Sequence, residues 1–374
     1  HNMRPYFLIF VITLYLFGIQ SCKRQSQSSA NDEPATDRLL KTETITVKSN
    51  PTVVSLLSYG LSDYCHNNRC IYSYNYKEHA IDILDLKTDT VSRSISLESE
   101  GPNAVMRELH GLQVYSPDTI VTYDFVAIKI IDSVGNVISK IELPDNGFSR
   151  IDCNVRSNIS DFKIDMDNHT ILYPIKQPGK NEIIEYDFAE KNVVNHIALK
   201  NPIHEGYYGF MDYPNVSFYK DCIIYNYPFE ANVYIYDRKS DSTRMISPKS
   251  KFTDNRIKEY DGKSVEELSW YGASNCFYSP LYLIPGKDCF VRITLGETSL
   301  DKSDNIDKAY YDRPIYVMTF DNEFKVIDEF EIERNRYNTF AGWCPLYDRI
   351  AFFQENACDP QNDNDIVIDM ISID

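Results

Sequence analysis

Long hydrophobic runs are almost missing from this 374-residue chain. The most extended, Tyr6 to Ile19, is 14 residues long, short of the about 20 a membrane-spanning helix needs. Positive charge is also scarce: 38 Lys and Arg stand against 55 Asp and Glu, for a net charge of −17 and a pI near 4.9. That balance argues against nucleic acid as a partner, because phosphate backbones are bound by clustered Lys and Arg. Histidine, at seven residues, forms no H-x-H or H-E-x-x-H pattern, and Cys65-His66 with Cys70 lacks the spacing of a structural zinc site. No G-x-S-x-G elbow supports a serine hydrolase. Asp359 to Asp365 is rich in carboxylates but has neither the glycine nor the distant glutamate of an EF-hand loop. No metal, cofactor or catalytic residue is expected.

What the chain does have is hydrophobic residues at 43% and 28 tyrosines, enough for a sizeable core in which tyrosine rings fill the spaces between β-sheets. It also has a repeat, the feature to seek first. In IDILDLKTDTVSRSISL, residues 81–97, Asp85 closes an apolar run, and an alternating strand opens at Val91. Asp132/Val137, Asp187/Val193, Asp237/Thr243 and Asp321/Val326 repeat this hairpin, with turns differing by one residue. A second slot recurs before each hairpin, as in Arg69-Cys70-Ile71, Asp118-Thr119-Ile120, His169-Thr170-Ile171, Asp221-Cys222-Ile223, Asp288-Cys289-Phe290 and Arg349-Ile350-Ala351. Each unit therefore has four strands, shown most clearly by His110–Tyr115, Thr119–Asp124, Ala127–Asp132 and Val137–Leu143.

Taken in order, Arg4, the apolar run and Gln20-Ser21-Cys22 read as an export signal over residues 1–21, with Cys22 as a lipidation site. Two or more acyl chains on Cys22 would anchor the protein stably. Residues 22–41 are polar and aperiodic, a flexible tether. Residues 42–374 carry strand signals at intervals of about 8 to 12 residues. Four-stranded antiparallel units of this length predict an all-β fold, a six-bladed β-propeller. The first inner strand is expected at Val53–Ser58 and the last near Asn338–Trp343. The sixth unit lacks an outer strand at its C-terminal end, so Thr42–Val47 is expected to complete it and close the ring. Ser264–Trp270 predicts a helical turn within the polar segment Lys251–Gly272.

The Tyr74-Asn75 strand, Glu100-Gly101-Pro102-Asn103, YSPLYLIPGKDCFVR (278–292) and TFDNEFKVI (319–327) carry a resemblance. The chain resembles a family of uncharacterised lipoproteins of Bacteroides-like bacteria with a TolB-like six-bladed propeller. That resemblance implies attachment to the outer membrane through the lipid, with the periplasmic face favoured over the cell surface because the acidic pair Asp32-Glu33 comes late. It supplies no catalytic residues.

Nine cysteines in an exported chain suggest disulfides. Cys70, Cys222 and Cys289 share one repeat slot and read as buried thiols. Cys65 and Cys70 flank a turn that could be bridged, and Cys153, Cys276, Cys344 and Cys358 have no deducible pairing. In a propeller, the connections from one outer strand to the next inner strand reach the face where ligands dock. Here they carry Arg107, Tyr207, Tyr208, Trp270, Tyr271, Arg334 and Arg336, residue types enriched in binding hot spots. The expectation is a non-enzymatic binding module for an envelope protein, peptide or glycan. Its alternative is a metal-dependent propeller hydrolase or lactonase-like enzyme, with Asp161 and Asp165 as the acidic pair on an inner strand. An apolar patch on the outer side of the ring would instead indicate a structural subunit of an envelope complex.

Overall fold

The computed structural model describes residues 41–48, 60–107, 109–124, 127–144, 162–177, 180–299, 312–337, 339, 342–354 and 365–373. Cys22, the signal, nearly all of the tether, Val53–Ser58, Cys153, Asp161 and Cys358 lie outside them. The fold is all-β and propeller-like, built from antiparallel four-stranded sheets.

Four sheets hold four strands each, in chain order. They are β6 (Gly111–Ser116) to β9 (Val137–Ile141), with β7 (Thr119–Tyr123) and β8 (Ile128–Ile131) between; β10 (Lys163–Asp165), β11 (Thr170–Gln177), β12 (Lys180–Asp187) and β13 (Asn192–Ala198); β14 (Asn215–Tyr219), β15 (Cys222–Asn226), β16 (Val233–Asp237) and β17 (Ser242–Ile246); and β18 (Phe277–Ile284), β19 (Cys289–Leu295), β20 (Ile315–Phe320) and β21 (Val326–Glu331). The remaining strands are β1 (Thr42–Lys48), β2 (Ser62–Cys65), β3 (Cys70–Asn75), β4 (Ala80–Asp85), β5 (Thr90–Ser96), β22 (Trp343–Pro345), β23 (Arg349–Phe353) and β24 (Asp365–Ser372). They form one eight-stranded sheet in the order β2-β3-β4-β5-β1-β24-β23-β22. This differs from six separate quartets, because Lys48 N donates to Asp89 O at 2.9 Å and sets up a single parallel pair between β1 and β5.

The expected pairing of the N-terminal strand is present. β1 runs antiparallel to β24 from Thr42 opposite Ile371 to Lys48 opposite Asp365. Two strand positions differ from expectation. The strand paired with β3 is Ser62–Cys65, nearer the turn than Val53–Ser58, and the strand paired with β23 is Trp343–Pro345, which begins where the expected one ended.

Burial explains the sequence texture. The middle strands β3, β19 and β20 are buried at every position, which is why apolar and aromatic residues dominate them. The outer strands β5, β9 and β13 face solvent over most of their length and alternate. The recurring aspartates form Asx turns, in which a side-chain carboxylate accepts from backbone N–H groups ahead of it. Asp187 Oδ1 accepts from Ala189 N and Glu190 N, both at 2.9 Å. Asp132 Oδ1 accepts from Val134 N and Asn136 N at 3.0 and 2.8 Å, and Asp321 Oδ1 from Glu323 N and Lys325 N at 2.9 and 2.8 Å. In the longer turns the left-handed residue falls four places after the aspartate, at Asp89, Lys191 and Asp241. In the shorter turns it falls three places after, at Gly135 and Phe324. Phe324 tolerates a φ of +69° because its ring is buried against Phe290, with centroids 4.8 Å apart.

Two buried charges tie layers together. Arg292 on β19 is fully buried and donates to Ala231 O at 2.6 Å, with its guanidinium 5.1 Å from the Tyr278 centroid and 5.7 Å from that of Phe320. Burial lowers its pKa to about 10. Asp369 on β24 accepts from Thr44 Oγ1 (2.5 Å), Arg336 Nε (2.5 Å) and Tyr337 Oη (2.7 Å). Burial alone would raise the Asp369 pKa, but these hydrogen bonds hold it below its ordinary value. Cys65 and Cys70 face each other in register as free, buried thiols, and Cys289 in the shared slot is also a free buried thiol; Cys222 is free and half-buried.

In urea or thermal denaturation, Asp187→Ala is expected to cost about 1 kcal/mol, the net worth of turn hydrogen bonds. Asp369→Ala, which strands a partly buried arginine and two hydroxyls, is expected to cost about 3–5 kcal/mol.

Candidate functional site

In an antiparallel quartet the connector entering the first strand, the turn between the second and third, and the exit from the fourth share one end of the sheet. The contacts agree. His79, in the β3–β4 turn, bonds the β5–β6 connector through Nε2 to Val105 O at 2.7 Å. Because a carbonyl can only accept, Nε2 carries the proton and Nδ1 accepts from Tyr74 Oη at 2.8 Å, a neutral tautomer. Burial lowers the His79 pKa accordingly. The same connector is fixed by Asp124 Oδ2, which accepts from Met106 N at 2.8 Å and pairs with buried Lys129. Arg107 follows, exposed at this end of the sheet.

The β13–β14 and β17–β18 connectors meet at the same end of the fold. Gly209, at φ +65°, opens the 3-10 turn Gly209–Asp212, and an added Cβ would come within 2.3 Å of Leu268 Cδ1. Leu268 lies on α1 (Val265–Ser274), whose N-cap Ser264 accepts from Glu267 N at 3.1 Å. The expected helical turn is therefore a full short helix. Tyr207 is 52% exposed, with its ring centroid 5.8 Å from Tyr260, which in turn lies 5.1 Å from Tyr271. Tyr271 Oη donates to Lys258 O at 2.6 Å, and burial raises its pKa. Trp270 is half-buried one position earlier on α1. Tyr208 is buried, stacked on Phe229 at 3.7 Å, and its hydroxyl accepts from Arg256 at 2.9 Å. It supports the surface from beneath.

Arg334 and Arg336 lie on the β21–β22 connector. Arg334 is exposed and paired through Nε with Glu331. Arg336 is committed to Asp369 and to Glu333 at 3.0 Å. The expected residues thus divide into a tyrosine and tryptophan surface on two joined connectors, and arginines on two others. Sequence reading missed Tyr260, Arg256 and the buried Glu230. Burial raises the Glu230 pKa; it accepts from Tyr234 Oη at 3.0 Å and faces His204 at 3.9 Å. Only Tyr260 carried a signal, as an aromatic in an otherwise polar connector.

On the first strands of the quartets the acidic groups have structural tasks. Asp165 is half-buried, and its carboxylate accepts from Asn168 Nδ2 (2.8 Å), Asn168 N (3.0 Å) and Asp167 N (3.1 Å), which hold its pKa below the usual range. Asp63 on β2 accepts from Val114 N of β6 (2.6 Å) and Tyr64 N (2.9 Å) and so joins two sheets. Burial raises its pKa from 3.8 to about 6, against those two bonds. Among the described residues, no group of three or more His, Cys, Asp or Glu could hold a metal ion.

An acid with a raised folded pKa holds its proton more tightly when folded. Protonation of Asp63 therefore favours the fold at low pH, and this contribution is lost as pH rises through about 6. Asp63→Asn is expected to flatten the pH dependence of unfolding free energy between pH 4 and 6; an unchanged slope would assign that dependence elsewhere.

The fold and this surface can be set beside known proteins. Residues 36–331 match a family described as a domain of unknown function, DUF4221. Among the curated proteins none matches. The crystal structure of a DUF4221 family member from Bacteroides vulgatus superposes with a TM-score of 0.65 at 12% identity, covering 90% of this chain and 98% of that one. A protein from Bacteroides fragilis, described as exported, superposes with a TM-score of 0.54 at 10% identity, covering 90% of this chain and 95% of that one. At such identities the superpositions speak to fold alone, while the match over most of the sequence settles the lineage: the chain belongs to the DUF4221 family, whose function is unknown.

Proposed function

We propose that this protein is a lipid-anchored, six-bladed propeller of the bacterial envelope, TolB-like in form, that binds a protein, peptide or glycan through its connector face. The blade count takes the eight-stranded sheet as two quartets, β2–β5 and β22–β24 with β1, joined at the Lys48–Thr90 pair. Anchoring rests on the lipobox-like ending at Cys22, and export on the signal-like residues before it. The description of the B. fragilis structure as an exported protein is consistent with that address. The periplasmic leaflet of the outer membrane is favoured for the reason given by Asp32-Glu33.

The observation that carries the binding role is the tyrosine surface. Tyr207, Tyr260 and Tyr271 present inclined rings at 5.1–5.8 Å spacing on two connectors locked together at Gly209 and Leu268. Rigid aromatics offer contact area at little entropic cost, and Tyr207 leaves half its surface free. The hydrolase alternative gains nothing from Asp63 or Asp165, whose carboxylates are held by backbone N–H groups.

In-cell crosslinking of a C-terminally tagged chain, read by mass spectrometry, is expected to capture one reproducible partner. Tyr207→Ala with Trp270→Ala should reduce that capture at least about tenfold, as loss of aromatic anchors does. Capture that survives both substitutions would contradict the assignment of this face. Cys22→Ser is expected to move the protein from the membrane to the soluble fraction; retention in the membrane would remove the lipid anchor from the account.

A further inference from the structure

A second feature lies beside the tyrosine surface. A cleft of about 200 Å³ opens between the β17–β18 connector, the ends of β19 and β20, and the β21–β22 connector. Its walls are fixed from behind. Buried Arg313 donates through Nε to Gly296 O at 2.8 Å, through one terminal nitrogen to Gly272 O at 3.4 Å and through the other to Asn275 O. Gly296 N donates to Pro314 O at 2.8 Å. A Cβ on Gly296 would come within 2.6 Å of Pro314 Cγ and 2.8 Å of Tyr316 Cε2, so the missing side chain lets Tyr316 sit back against the wall. Phe252 stacks on Tyr316 with centroids 4.7 Å apart and an interplanar angle of 2°. The Thr253 and Tyr278 hydroxyls, 2.7 Å apart, pin the adjoining connector.

The lining carries both signs of charge. Arg334 uses Nε for Glu331, and its guanidinium also meets the Tyr316 hydroxyl. A guanidinium has five N–H donors, so the rest remain for a ligand. The same cleft is lined by Asp254 and Glu297, both exposed. A ligand of one charge would be attracted by one side and repelled by the other. A molecule bearing both charges a few bonds apart satisfies the two sides together, with its carbon skeleton on the Phe252–Tyr316 pair.

We propose that this cleft binds a small zwitterion of the free α-amino acid class, with the carboxylate on Arg334 and the ammonium at Asp254 and Glu297. The site is separate from the tyrosine surface, so it stands or falls independently of partner capture there.

The test is calorimetry on the full chain with each of the twenty L-amino acids, followed by the tightest binder's amide and N-acetyl derivatives. Saturable binding is expected, weakened at least about tenfold in both derivatives, since each loses one charge-assisted contact. Arg334→Gln should remove the penalty for the amide, and Glu297→Gln with Asp254→Asn the penalty for the N-acetyl form. All three residues are exposed, and unchanged melting temperatures will confirm that the variants fold. No saturable amino acid, a derivative that binds as well as its parent, or variants without effect would each overturn the proposal. Partner capture lost through Tyr207 and Trp270 but retained in the Asp254 and Glu297 variant would show that the two sites differ.

Discussion

The carboxylate of Asp369 joins three segments that are far apart in the sequence. It is buried on β24, and it receives Thr44 from the first described strand, opposite it in register, together with Arg336 and Tyr337 from the connector after β21. The first and last described strands are thereby held at one point, in the same sheet. A quartet lacking its outer strand would leave a row of unpaired N–H and C=O groups, the edge that invites aggregation. Pairing β1 with β24 removes that edge. Holding the last sheet also fixes the connector bearing Arg334, so a constraint of the fold sets part of the ligand-facing surface.

The four-stranded units were legible because their turns are written in side-chain chemistry. Each hairpin aspartate accepts from the backbone ahead of it, and the position of the left-handed residue, three or four places on, follows the turn length. The slot of Cys70, Cys222 and Cys289 was legible for a similar reason, since each opens the second strand of its unit. The strand paired with β3 was misplaced. Residues 53–58 have a stronger apolar pattern than Ser62–Cys65, yet hydrogen bonding to Cys70–Asn75 across a short turn decides the register. Pattern reports what a segment can bury; it does not report which neighbour reaches it first.

The connector face was legible only in outline. Aromatic and arginine residues were identified on the right segments, but their separate roles depend on contacts distant in sequence. Tyr208 is spent on Phe229 and Arg256, and Arg336 on Asp369, whereas Tyr207 stays exposed. Buried Arg292 and Arg313 were invisible for the same reason, since their partners are backbone carbonyls and rings that carry no sequence signature. The acidic residues on the first strands serve turns and sheet junctions, which leaves the connectors as the place where this fold presents chemistry to a ligand.

Amide hydrogen exchange across residues 42–48 and 365–372 tests the central claim most directly. If β1 is the outer strand of the last unit, its β24-facing amides should exchange as slowly as those of β24, and both should open together as denaturant is added. Exchange of residues 42–48 within seconds while β24 stays protected would contradict the closed arrangement, and with it the account of how the connector face is held.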